Sequence, residues 1–494
     1  MATAGNPRTG SSNHTPQSMV DLAGDYQYGV YWTLASAGYE NAFVYKRKIA
    51  ATWTRSGTVI TITTASHGLS AAAAVIIGRS SSPQALANGA TTVASAPTSS
   101  TFTITGVATG ATSGTCDWII TYDLSLATGN PLGLPVATTS DDHIALVCAV
   151  DGQGRVHVMG NSFFSSLKYI RSTATGGIAD ITSWGDATST ISKASTGADA
   201  HTYHNLCRRA DGTLLWSLDQ REILTDGLGI DRLLHKLGPA DGSWTAVVDS
   251  GEMMVSGRVT NGEANRVYLI GMTCTADDRV HFCGIWRTGD EDADTQQQPF
   301  YFYTDDLTTF YNISGTAIAM PVRWVNRATV EISSAPGYSP GFGQGVGVDA
   351  DGYPHVILRN GNSLGAGVLT NPATGLSYGP WVRCYWDGTA WQVAAVVGAG
   401  SAYGPSLHRI RDELYLVSCS GSRAYVRTAA GASSGLKFQV GAPVDTSGSG
   451  GNGLVFEPNP DPVLVQSGEI CLMVPDGDTP VVHSLGIHSR MTAT

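Results

Sequence analysis

The chain has 494 residues, 14% of them charged, with 40 Asp and Glu against 29 Lys and Arg and a formal net charge of −11. A surplus of that sign opposes binding to a polyanion, which needs clustered Lys and Arg, so nucleic acid is not an expected partner. Its 59 Gly, the abundance of Ser and Thr and the lack of long amphipathic helical patterns point to an all-β protein of short strands and turns.

The N-terminal stretch from Met1 to Arg8 lacks a basic region followed by an apolar core, and no run of about 18 apolar residues could span a bilayer. A soluble chain with no membrane insertion is expected, and residues 1–22 read as a polar, extended arm. Strand-like segments follow at Val30-Tyr31-Trp32 and Ala42-Phe43-Val44-Tyr45, and again at Trp118-Ile119-Ile120-Thr121-Tyr122. Between them, residues 52–116 turn abruptly to Thr, Ser, Ala and Gly. Val59-Ile60-Thr61-Ile62-Thr63 and Thr101-Phe102-Thr103-Ile104-Thr105 alternate with the period of a half-buried strand, on either side of a Ser66-His67-Gly68-Leu69 turn. This pattern resembles the small β modules inserted in phage tail and structural proteins, and residues 52–116 are read as such an insertion.

Beyond it, an acidic or glycine turn followed by a short apolar strand recurs at Gly154, Gly212, Asp278, Gly352, Asp412 and Gly468, at spacings of 58, 66, 74, 60 and 56 residues. A unit that cannot bury its own apolar face must stack on copies of itself. Four short antiparallel strands need roughly 40 to 60 residues, the size of a propeller blade with long loops. Six anchors and the unit from Tyr26 to Leu124 predict an all-β, seven-bladed propeller over residues 23–51 and 117–494.

The order Asp141-Asp142-His143, Asp151-Gly152-Gln153-Gly154, Val156-His157-Val158 and Gly160-Asn161 continues through Thr202-Tyr203, Gly242-Ser243-Trp244, Tyr268, Val280-His281, Trp286-Arg287 and Tyr303-Thr304-Asp305-Asp306-Leu307. This is similar to the BNR repeat-containing family of seven-bladed propellers that includes ulvan-type polysaccharide lyases. The resemblance implies that His143 and Tyr203 match the family's catalytic His and Tyr, and that Tyr268 and Arg287 match positions lining the same groove. A lyase acting on uronic acids must neutralise the sugar carboxylate, remove the C5 proton and protonate the leaving oxygen, tasks suited to Arg, His and Tyr. The chain departs from the family in three places. Phe163 replaces a second active-site His, Ile144 an Asn, and Leu218-Asp219-Gln220-Arg221 the expected Tyr-Arg pair, leaving an offset Arg221 as the substitute. Each general acid–base group is typically worth about 10²–10⁴-fold in rate, so these departures weigh against full catalysis.

The remaining candidates have structural readings. His157, His281 and His355 recur at one place in their repeats and are expected to be packed and hydrogen-bonded, with a metal near the axis as the alternative. His201 and His204 flank Tyr203, where they either line a groove or cap a loop. Asp241-Gly242-Ser243-Trp244, Asp306–Phe310 and Asp387–Trp391 look like degenerate Asp-box turns. Asp349-Ala350-Asp351-Gly352, Asp290–Asp294 and Asp476–Asp478 lack EF-hand spacing and read as solvated turns. The sialidase alternative lacks an Arg-Ile-Pro-type strand and converging arginines. Eight cysteines show no Cys-x-x-Cys spacing and are expected to be free, buried thiols, in keeping with a reducing compartment; no cofactor or metal is expected.

The function these residues suggest is a phage tail or tail-fibre component that binds host surface glycan in the propeller groove. His204, Tyr268, Trp286 and Arg287 supply binding, with aromatic faces for sugar rings and Arg for hydroxyls or carboxylates. A basic patch around Arg208, Arg209 and Arg221 would be needed for an acidic polysaccharide. Proton transfer by His143 and Tyr203, with Arg221 or Arg287 at the carboxylate, is the lyase alternative, and a purely structural virion protein is the third. Either phage role implies an oligomer in contact with other tail subunits, assembled in the host cytoplasm and carried in the virion.

Overall fold

A computed structural model describes residues 18–20, 26–36, 39–65, 67–78, 80–87, 89–137, 146–160, 166–173, 178, 181–191, 200–224, 227–248, 253–256, 265–288, 296–332, 345–349, 351–359, 381–395, 406–410, 413–420, 423–430, 437–440, 444–445, 469–476 and 479–486. Among them the regular structure is all β apart from short 3₁₀ turns, and no helix is long and apolar enough to cross a membrane. The strands fall into seven sheets that follow one another along the chain, except that Val322–Arg323 returns to pair with Met253–Ser256 of the third.

The first sheet contains two structures in one. Ser18–Val20, Tyr26–Ser36 and the first half of Tyr39–Ser56 pair antiparallel, and Ser113–Asp123 pairs along the far side of Tyr39–Ser56. Three residues of the expected arm therefore join this sheet as its edge strand. The second half of Tyr39–Ser56 goes on to pair with Val59–Thr63, and the order continues through Thr101–Thr105, Gly89–Thr98 and Ala74–Gly78 back to Ser113–Asp123. These six strands close on themselves as a barrel. Trp53, Ile60, Ile62, Phe102, Ile104 and Trp118 point inward and are buried, whereas Thr54, Thr63 and Thr105 are exposed. The barrel grows out of the sheet where the pairing slips between Lys48 and Ala51. Asp117, itself buried, clamps that slip: it accepts from the Arg47 guanidinium and, at 3.0 Å, from the Ala50 amide. His67 closes the top, its Nδ1 accepting from the Leu69 amide and its Nε2 donating to the Thr98 carbonyl at 2.8 Å.

The second sheet, with strands Leu146–Val150, Val156–Gly160, Tyr169–Arg171 and Gly185–Asp186, shows how the rest is built. Cys148, Val150, Val156 and Val158 pack toward the first sheet, while Val147, Ala149 and Met159 pack toward the third. The third sheet centres on Ala200–Arg208, Leu214–Leu224 and Gly227–Leu237, and it repeats the device. Leu214, Trp216 and Leu218 face the second sheet, whereas Leu215 and Leu234 face the fourth. In the fourth (Asn265–Cys274, Val280–Thr288, Gln296–Thr304), Phe282 and Phe302 face back while Cys283, Ile285 and Tyr301 face the fifth, whose strands are Val346–Val348, Pro354–Arg359, Trp381–Trp386 and Trp391–Ala395. The first strand of each of these sheets lies beside the first strand of the next, and Val346–Val348 lies in turn beside Ser406–Ile410 of the sixth sheet. Gly271 marks how close they come, since a Cβ there would meet the Val346 amide nitrogen at 2.6 Å. Sheets stacked face to face about their first strands make the fold of propeller type.

The sequence anchors have a single cause. In four sheets the amides of Asp151, Arg209, Thr275 and Asp349 bond the carbonyls four residues on, and the left-handed residue of each turn is Gly154, Gly212, Asp278 or Gly352. Glycine adopts positive φ without Cβ strain and Asp tolerates it, which is why these types recur there. Asp412 and Gly468 lie outside the described residues, but the strands Glu413–Ser420 and Glu469–Asp476 begin directly after them.

Candidate functional site

The turns just described all lie at one end of the sheets. The opposite end is reached where the first strands begin, and there the register is irregular. Thr202 pairs with Asp219 and Asn205 with Ser217, so Tyr203 and His204 together oppose Leu218 in a β-bulge. A second bulge in the neighbouring first strand falls between Leu269 and Gly271. Bulges re-aim side chains and gather near functional sites. Arg221 pairs with Ala200 and Arg287 with Arg266, and Tyr268 pairs with Ile285. The backbones of Tyr203, Arg221, Tyr268 and Arg287 therefore sit toward the same end of two adjacent sheets. His143, Ile144 and Phe163 lie outside the described residues, as do Asp290–Asp294 among the acidic candidates.

His204 is 7% exposed and lies within the protein rather than at an open surface. Its Nδ1 accepts from Trp216 Nε1 at 3.2 Å and the two rings stack with centroids 5.7 Å apart, which places the imidazole proton on Nε2. Beneath the bulge, Arg232 and Asp219 face each other across the second and third strands at 2.5 Å, both fully buried, and Arg232 Nε also donates to Ser217 Oγ at 3.0 Å. Asp219 thus spends its charge on Arg232, a partner that sequence reasoning missed because Arg232 carries no motif.

Two expectations are corrected. Trp286 is 1% exposed and packs on Phe300 in the core between the third and fourth sheets. A strand covered on both faces leaves no open side for a sugar, so Trp286 is a core residue. The basic patch also dissolves. Arg208 is opposite Leu214 near the turn, eight residues along its strand from Ala200, the partner of Arg221, which is about 25 Å at the usual strand rise. Arg209 is committed at the turn end, where it donates to the Asp305 carbonyl at 3.1 Å.

The recurrent histidines are built into the sheets. His157 Nδ1 meets the Tyr169 hydroxyl at 2.6 Å and its Nε2 lies 3.1 Å from Asp151 Oδ2. His281 Nδ1 meets the Tyr301 hydroxyl at 2.7 Å. His355 Nε2 donates to Asp349 Oδ2 at 3.1 Å, and its Nδ1 faces Arg383. Tyr169, Tyr301 and Arg383 hold one register position, two residues before the direct partner of the histidine. Burial pushes the His157 and His355 imidazoles down, His355 to about 4, against the opposing pull of the nearby carboxylates. For Asp151 burial acts upward, but the bonds from His157 and Arg155 outweigh it and hold the carboxyl below its usual range. Asp349 is likewise occupied, accepting from the Asp351 and Tyr353 amides as well as from His355. The Asp boxes behave as turns: Asp306 accepts from the Thr308 and Thr309 amides, and Asp387 from those of Thr389 and Ala390, above buried Phe310 and Trp391.

No curated protein sequence matches the chain. Among solved structures, the polysaccharide lyase Uly1 is 12% identical and superposes with a TM-score of 0.54 over 96% of this chain and 90% of its own. A family 25 polysaccharide lyase, an ulvan lyase, is 10% identical, with a TM-score of 0.52 over 97% and 95%. The endosialidase of phage phi92 is 17% identical over 90% of this chain and 65% of its own, but its TM-score of 0.39 is too low to bear on the fold. Residues 117–398, more than half of the chain and including the sheets that carry the turns, bulges and buried histidines, match the BNR repeat-containing family. The chain is a β-propeller protein of the BNR repeat-containing family.

Proposed function

We propose that this chain is a phage tail or tail-fibre protein that binds host surface polysaccharide in a groove at the end of the propeller where the first strands begin. In this reading residues 23–51 and 117–494 close as seven blades, residues 52–116 are an inserted module and, of the arm over residues 1–22, the part before Ser18 reaches toward other tail subunits. The chain acts as an oligomer in the virion, assembled in the host cytoplasm. The observation that carries the reading is the alignment of Tyr203, Arg221, Tyr268 and Arg287 toward one end of adjacent sheets, two of them in or beside bulges. Aromatic rings and guanidinium groups suit sugar faces and carboxylates. The phage setting is supported by the Thr-rich module, which has the pattern of tail insertions. On a glycan array, Tyr268→Ala and Arg287→Ala should each lose at least about tenfold in binding, the cost of one lost contact of roughly 1.4 kcal/mol, without a change in melting temperature. A wild-type chain that binds no glycan across a broad panel overturns the reading in favour of a structural virion protein.

Lyase activity is the second reading, favoured by the fold shared with the polysaccharide lyases. His143 and Tyr203 transfer the proton and Arg221 meets the carboxylate. Incubation with uronic-acid polysaccharides, followed by the ultraviolet absorbance of the unsaturated product, decides between binding alone and cleavage.

A further inference from the structure

We propose that Cys207 and Cys274 form an oxidisable dithiol that closes into a disulfide joining the third and fourth sheets. Cys207 lies in the first strand of the third sheet opposite Leu215, and Cys274 ends the first strand of the fourth opposite Val280. The two strands are neighbours around the stack, and the turns that follow them are tied by a bond from the Ala210 amide to Asp278. Both thiols are free, and the Cys274 and Cys207 sulfurs lie 2.6 Å apart, so they already face each other across the join between sheets. Among the described cysteines this is the pair in sulfur contact, and Cys274 is its accessible member, half-buried where Cys207 is 3% exposed.

The oxidant is a peroxide. The Cys274 thiolate attacks the peroxide O–O bond, giving a sulfenic acid and, with one proton, water. Cys207 sulfur then attacks the sulfenic sulfur: the S–S bond forms, the S–O bond breaks, and the departing hydroxide leaves as a second water with the Cys207 proton. Two thiols lose two electrons and two protons, and one peroxide becomes two waters. Burial and the adjacent Cys274 thiol push the Cys207 thiol well above its ordinary range, consistent with Cys274 reacting first.

The bridge closes a loop between residues 67 positions apart and joins the two sheets covalently across their shared seam. The test treats the full chain with hydrogen peroxide or with dithiothreitol, blocks residual thiols and maps the peptides by mass. The expected product links Cys207 to Cys274 with the loss of two hydrogens, and raises the thermal midpoint by about 2–5 °C over the reduced chain. Cys274→Ser should abolish both changes while melting like the reduced wild type, and Cys207→Ser should trap the sulfenic acid on Cys274 for a dimedone probe. A chain whose two thiols stay reduced, or whose peroxide-induced bridge maps to another pair, overturns the proposal.

Discussion

The barrel and the second sheet bury their strands by different rules. In Val59–Thr63 and Thr101–Thr105, inward Ile and Phe alternate with outward Thr, while in Leu146–Val150 and Val156–Gly160 every residue is buried. A closed barrel buries only its inward face, in a core continuous with that of the sheet it grows from, and leaves its hydroxyls in water. A stacked sheet is half of two cores, so any polar side chain it carries is covered on both sides and must be paired where it stands. The sheets accordingly hold Asp151–His157–Tyr169, Asp219–Arg232 and Asp349–His355–Arg383, whereas from Gly57 to Thr115 the only charged residue is Arg79. Stability in the stack should therefore depend on individual polar groups and on pH more than in the barrel, whose buried polar groups centre on His67 at the top and the Arg47–Asp117 pair at the slip.

The largest effect expected is at Asp219. Asp219→Ala removes the carboxylate from fully buried Arg232, and breaking a buried ion pair by removing one partner costs about 3–5 kcal/mol. Urea unfolding followed by tryptophan fluorescence should show it, and the double variant Asp219→Leu, Arg232→Met should recover a large part of the loss. A single variant within about 1 kcal/mol of wild type, the size of an exposed pair, would break the comparison.

The next effect is acid sensitivity of the stack. His355 is held neutral with a folded pKa of about 4, below the ordinary 6.5, because burial disfavours its charged form. Between those values the unfolded chain binds a proton that the folded chain refuses, so stability falls as pH drops from 6.5 to about 4 and the loss from this group is complete below that. Its full size is up to about 3 kcal/mol, and buried His157 shifts in the same direction. His355→Gln should flatten the fall of the urea midpoint over that range; an unchanged slope would assign the acid sensitivity to other groups.

A smaller change is expected at Tyr169. Its hydroxyl meets His157 and accepts from Trp244 Nε1 at 3.2 Å, so Tyr169→Phe leaves two buried groups short of a partner and should cost about 1–3 kcal/mol by thermal unfolding.

Much of the stack was legible because its constraint is local. Gly154, Gly212, Asp278 and Gly352 mark the repeat through a backbone angle that few residue types accept, and Asp306 and Asp387 mark their turns through bonds to the next amides. The strands Val59–Thr63 and Thr101–Thr105 were legible through alternation, which survives in a barrel with one wet face. What stayed hidden depends on long-range packing. Trp286 reads as a groove aromatic beside Arg287, yet alternation says nothing about exposure in a strand covered on both faces. Arg208 and Arg221 are close in sequence, but a hairpin sends them to opposite ends of a sheet. The Tyr203 bulge and the Asp219–Arg232 pair follow from cross-strand register, which a repeat of variable loop length does not disclose.

The smallest effect is on the barrel surface. Thr103 Oγ1 bonds Ser95 Oγ at 2.7 Å on the exposed outer face, where water replaces either partner at little cost. Valine has the same shape and a high strand preference, so Thr103→Val should change stability by no more than about 0.5 kcal/mol. The Thr grid would then be a solvated surface and not a structural bond network. Differential scanning calorimetry of this variant beside Asp219→Ala sets the two modes of burial against each other in one chain. A loss above about 2 kcal/mol at Thr103 would mean that the barrel, like the sheets, leans on a covered polar face.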